Sequence, residues 1–192
     1  MIALALLLFL IMDPFGNLVA VNTLLADQPP RARRWIILRE AAIATAILLL
    51  AAVGGSYLLD LLGLKEHSLR LAGGIVLFLI ALGMLFPARK MLDEAPGGAP
   101  LIVPIAMPLI AGPSAISMVI LFSKKHPPGI VIGGVVAASL ASAALLVSSP
   151  LLFRFLGKRG SVALERLMGM LLIMISVQMI LDGFSAYLDS RG

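Results

Sequence analysis

The chain has 192 residues, 60% of them apolar and 13% charged, with a mean hydropathy of +1.07 and no cysteine. That composition excludes a soluble globular domain, and the lack of thiols excludes a disulfide framework or a thiolate metal site. The formal charge of +5 lies in or beside short loops between apolar runs, where it orients a membrane protein, and this argues against a nucleic-acid partner.

Six spans of about 20 residues fit the length and leave no room for a soluble domain, so residues 1–192 form a single transmembrane domain. The first span covers about Ile2 to Ala26, with Asp13 its only charge, and it is interrupted by Asp13-Pro14-Phe15-Gly16-Asn17. It has neither the basic flank nor the small-residue cleavage site of a signal peptide, so it is read as a retained span. The second runs from about Trp35 to Leu62, with Arg39 and Glu40 in its first turn at the membrane edge. The third runs from about Leu69 to Phe86, and a polar linker from Pro87 to Pro100 follows. Span four, about Leu101 to Phe122, is interrupted at Ala111-Gly112-Pro113-Ser114. Span five is about Gly129 to Phe153 and span six about Leu164 to Tyr187.

The halves match. Their Xaa-Pro breaks lie 99 residues apart, and each is followed after 13 or 14 residues by a double proline, Pro29-Pro30 and Pro127-Pro128. Leu62-Gly63-Leu64-Lys65 corresponds to Leu156-Gly157-Lys158-Arg159. The third spans align as Leu69/Leu164, Gly74/Gly169, Leu77/Leu172, Ile80/Ile175 and Met84/Met179, of which the glycine pair is the hardest to obtain by chance. Repeat one is 1–93 and repeat two 94–192. Three spans per half make the second half enter from the opposite side. The expected fold is an all-α membrane protein, six transmembrane helices in a 3+3 inverted repeat, with spans 1 and 4 broken at mid-membrane. Loops 1–2, 3–4 and 5–6 hold ten Lys/Arg and the other side five, which places both termini outside the cytoplasm.

The breaks suggest a site. Asp13 is a strong N-cap and Pro14 suits the first helical position; Gly112 and Pro113 form a weaker version of the same start. Eleven residues from Ile2 to Asp13 make about 16 Å of helix, half of a hydrocarbon core of about 30 Å. Paired half-helix N-termini at mid-membrane suit a carboxylate. Asp13 either caps its own helix only, pairs with a substrate ammonium, or carries a proton. Asn17 lies one turn on. Ser114 and Ser117 read equally well as substrate contacts or as ordinary helix-to-helix hydrogen bonds.

Other features have structural readings. The rows Gly134/Ala138/Ser142 and Gly133/Ala137/Ala141 let helices pack closely, and Gln178 is read as interhelical hydrogen bonding. Met168, Met170, Met174 and Met179 are lipid-facing or gap-filling. His67 and His126 alone make a poor metal site, so no metal is expected. With no Walker A sequence and no nucleophile–base set, neither a nucleotide cofactor nor an enzyme is expected.

The break motifs, together with Pro108-Leu109-Ile110 ahead of the second and Gly73-Gly74-Ile75-Val76-Leu77-Phe78-Leu79-Ile80-Ala81 in span three, resemble the MarC family, also called the neutral amino acid transporter family. The resemblance covers essentially the whole chain and implies a bacterial inner-membrane protein within a wider group of amino-acid and small-solute exporters. By motif position it carries over Asp13, Pro14, Gly16, Asn17, Gly112 and Pro113 as site residues; Ser114 and Ser117 join them from the residue reading. Two departures are visible: Val19 stands where the family usually has proline, and the residue after Pro113 is often not serine. The expected function is a secondary transporter or exporter of small neutral amino acids. Its partners would be the solute, membrane lipid and a coupling ion (H⁺ or Na⁺), with homo-oligomer formation left open. The alternatives are a channel, a lipid or small-solute carrier, or a non-transporting membrane scaffold.

Overall fold

A computed structural model describes residues 1–25, 28–86 and 111–190, and all regular structure among them is helical. The helices are α1 (Ile2–Met12), α2 (Asn17–Leu24), α3 (Pro30–Leu61), α4 (Glu66–Leu85), α5 (Pro113–Lys125), α6 (Pro128–Val147) and α7 (Ser149–Asp189). Among the described residues four helices, not six, are long and apolar enough to cross a membrane: α3, α4, α6 and α7 from Arg159 onward. Over the first expected span there are two short helices, α1 and α2, on either side of Asp13-Pro14-Phe15-Gly16, where the backbone leaves the helix. Of span four, only Ala111 onward is described. The Pro87–Pro100 linker, the repeat boundary at 93/94 and Leu101–Ile110 lie outside the described residues.

Two further expectations change. Span five ends at Val147, not Phe153, because Pro150 lacks the N–H that would continue α6 and instead occupies the first turn of α7. Residues 149–156 therefore belong to α7, which bends at Gly157 (φ 68°, ψ 176°) where the sequence pattern placed a turn. Glu40, expected in a first turn at the membrane edge, is fully buried among the helices. Arg39 Nη2 donates to its Oε1 at 2.7 Å, while Oε2 has no hydrogen-bond partner among the described residues.

Close contacts give the relative directions of the helices. Leu4 meets Gly134 and Met12 Sδ lies 4.0 Å from Ser142 Oγ, so α1 and α6 run the same way. Gly55 meets Ile120, and Lys124 Nζ lies 3.2 Å from Asp60 Oδ1, so α3 and α5 also run together. The α4–α5 pair is antiparallel, with Gly73 against Ser117 and Glu66 3.7 Å from Lys124. So is the α4–α7 pair: Gly74 meets Ser176 and Ile180, Gly169 meets Ala81 and Leu85, and Gly183 meets His67 and Leu71. Met1, which packs on Gly133, and Tyr187, whose ring lies 5.4 Å from His67, consequently sit at the same end of the bundle.

Because lipid is as apolar as the side chains, such packing depends on close van der Waals approach, and small residues supply it. A Cβ on Gly74 would stand 3.1 Å from the Ser176 carbonyl oxygen, and one on Gly169 3.2 Å from that of Ala81. Leu8, Leu48, Leu77, Val135 and Leu172 fill the interior, while Leu50, Leu79, Leu140 and Met170 point outward. The methionines divide accordingly: Met168 and Met179 are buried, Met170 and Met174 exposed. Gln178 is exposed and bonds within its own helix to Asp182 (2.7 Å); Asp182 makes the cross-helix pair, to Arg70 at 3.5 Å.

Candidate functional site

Asp13 closes α1 in the left-handed region (φ 44°, ψ 58°), a conformation that aspartate tolerates better than most residues. Its N–H still reaches the Phe9 and Leu10 carbonyls, at 3.2 and 3.1 Å. Its Oδ1 accepts the Gly16 N–H at 3.0 Å and its carbonyl accepts the Asn17 N–H at 3.1 Å. Asp13 thus ends one helix and caps the turn that leads to the next. The sequence pattern placed Pro14 as the first helical residue. Here residues 14–16 form a turn, and regular helix resumes at Asn17. The Asn17 amide donates to the Met12 carbonyl at 3.1 Å, satisfying an acceptor that the break strands away from water. Gly16 has no room for a side chain: a Cβ would overlap Asp13 Oδ2 and the Met84 methyl.

The second break follows its sequence pattern closely. Gly112 is the extended N-cap (φ −69°, ψ 162°) and Pro113 opens α5. Ser114, at the second helical position, is buried. One turn on, the Ser117 hydroxyl donates back to the Pro113 carbonyl at 2.8 Å, with its Cβ packed toward Gly73.

Asp13, Gly16, Asn17, Gly112 and Ser114 line one cavity of about 260 Å³. Its apolar wall comes chiefly from Leu77 and Met84 of α4 and Leu172 of α7. Of the eight candidates, these five come together. Pro14 and Pro113 shape the backbone behind the wall, and Ser117 lies outside it. The cavity joins the two breaks, which are far apart in sequence. It also contains Glu165 of α7, which the sequence reading missed. The available signal was position: Glu165 lies two turns before Leu172 on the same helical face, inside an apolar span where an ionisable side chain is rarely idle. Two carboxylates and one helix N-terminus therefore face a small space whose lining, among the described residues, holds no lysine or arginine. Such an arrangement favours a cationic group near the carboxylates and an anionic one at the start of α5.

A family model described as "MarC family integral membrane protein" matches residues 1–188. The chain is similar to the UPF0056 inner membrane protein YhgN of Escherichia coli K12, with 39% identity over 97% of both chains. A UPF0056 membrane protein of Buchnera aphidicola is 40% identical over 97% of this chain and 96% of its own. The UPF0056 membrane protein MJ0972 of Methanocaldococcus jannaschii is 35% identical over 95% of this chain and 86% of its own. No solved structure matches.

Proposed function

The chain belongs to the MarC family of integral membrane proteins, and from that premise we propose that it is a bacterial inner-membrane secondary transporter or exporter of small neutral amino acids. The observation that carries this reading is the cavity that brings Asp13 and the start of α5 together. A zwitterion fits both ends of it. Its ammonium faces the Asp13 carboxylate, and its carboxylate faces the unpaired N–H groups of the first turn of α5. The volume, about 260 Å³, suits a solute of few heavy atoms.

The architecture proposed for this work is the 3+3 inverted repeat. The Gly74 and Gly169 contacts support it: each glycine meets on the opposite helix the repeat counterparts of the residues that the other meets. Gly63 and Gly157, matched in sequence, both have positive φ, 64° and 68°. The alternating helix directions agree as well. The end that carries Arg33, Arg34 and Arg154 would face the cytoplasm, and both termini the outside.

The test is competition uptake in proteoliposomes with a panel of labelled amino acids, for the parent and Asp13→Asn. Asparagine keeps the cap and tolerates the left-handed backbone, so the fold is expected to persist while flux is lost. Flux equal to the parent across a range of pH would reduce Asp13 to a structural cap and end the ammonium reading.

A further inference from the structure

One apolar side chain in the described cavity wall differs from the rest. Ile11, Met12, Leu77 and Leu172 are buried core residues, and Ile80 is 41% exposed. Met84 is half-buried and bridges two elements. Its Cβ lies 3.1 Å from where a Cβ on Gly169 of α7 would stand, and its methyl packs on Gly16 in the turn between α1 and α2. Glycine at both contacts is what lets the side chain lie there. A Cβ on Gly16 would overlap the Met84 methyl and Asp13 Oδ2 together, so these two groups lie within van der Waals reach of each other. Asp13 Oδ1 accepts the Gly16 N–H at 3.0 Å, and Oδ2 is the oxygen beside the methyl.

That contact bears on what the cavity admits. An amino acid held by its ammonium at Asp13 and by its carboxylate at the start of α5 has its side chain left to face the apolar wall. The side chain begins at the carbon next to the ammonium-bearing one, within reach of the Met84 methyl. How far it can extend then depends on where that methyl stands. Leu77 and Leu172 cannot withdraw without opening the core, since packed interiors hold no spare volume. Met84 is unbranched and ends in a flexible thioether, and it reaches from the α4–α7 pair to the charged oxygen. On the transport reading above, we propose that Met84 sets the largest solute side chain the cavity accepts. Alanine fits beside its methyl; leucine meets it. Met84→Ala removes Cγ, Sδ and Cε, as many atoms as leucine carries beyond alanine.

The experiment is counterflow of labelled alanine in proteoliposomes of the full chain, competed by unlabelled alanine and by unlabelled leucine. For the parent, leucine is expected to compete less well than alanine. In Met84→Ala the ratio of the two half-inhibitory concentrations is expected to move toward leucine by about tenfold or more, the usual worth of methylene-sized space in an apolar pocket. Met84→Leu is close in volume but too short to reach Gly16, so it should move the ratio the same way by less. Met179→Ala is the control. Met179 matches Met84 in the repeat, is buried and lies outside the described lining, so the same truncation should lower the thermal midpoint and leave the ratio alone. An unchanged ratio in Met84→Ala overturns the proposal. So does an equal shift in Met179→Ala, which would mark a general loosening of the bundle. If Met84→Ala does not fold, an unchanged ratio in Met84→Leu overturns it instead. Absence of alanine counterflow in the parent ends the transport reading and the size limit with it. Counterflow that persists with the parent's ratio in every variant ends the size limit alone.

Discussion

At Gly16 a single hydrogen atom separates a usable carboxylate from a displaced one. In Gly16→Ala the new methyl would overlap Asp13 Oδ2 and the Met84 methyl, both of which are side-chain ends free to move. The fold is therefore expected to survive, with Asp13 pushed off the Gly16 N–H at a cost of about 1 kcal/mol, the usual net value of a hydrogen bond. Solute binding should fall far more than the thermal midpoint, and measuring both in one preparation checks this. Ser117→Ala should do the reverse, because among the described residues that hydroxyl bonds only the backbone of its own helix: binding unchanged, and a stability change within ~1 kcal/mol. Residues at the breaks were legible in the sequence because an Xaa-Pro step imposes its geometry locally. Glu165 and Glu40 were not. A charge in the first turns of a span reads as interfacial, and whether it turns inward depends on helix rotation, which distant packing decides.

Between elements, the decisive contacts are few and short. Arg33 Nη2 donates to Asn22 Oδ1 and to the buried Ser149 Oγ (2.9 Å), joining α2, α3 and the start of α7 at one end of the bundle. Loop arithmetic treats this arginine as one of ten orienting charges, and nothing in its neighbours signals a cross-link. Arg33→Ala leaves two polar groups unpaired and is expected to cost about 1–3 kcal/mol, read as a lower thermal midpoint in detergent. Arg33→Lys should recover only part of it, since an ammonium cannot present the same planar fork. On α4, Gly74→Leu would drive a side chain into the Ser176 carbonyl and the Ile180 backbone, which cannot yield. Parting of α4 from α7, seen as loss of a cooperative unfolding transition, is the expected result. Here the sequence was informative: the repeat marked Gly74 and Gly169. Their partners were not, because a repeat gives correspondence within the chain but says nothing of which faces meet.

At the scale of the whole molecule, Met1 and Tyr187 share one end, and Arg33 and Ser149 mark the other. A reporter fused at the C-terminus and one inserted between Pro87 and Pro100 should therefore be found on opposite sides of the membrane, with the C-terminal one outside the cytoplasm. A cytoplasmic C-terminal reporter would reverse the orientation and leave the helix directions untouched. One feature of the bundle has a mechanical meaning. The α4–α7 crossing is reciprocal, glycine to the opposite backbone on each side, with Leu77 and Leu172 buried between. Both helices also wall the cavity. Their contact runs the length of α4, from His67 against Gly183 to Leu85 against Gly169, so these two walls of the cavity behave as one rigid plate, and any change in the cavity's shape has to come from the other helices that line it.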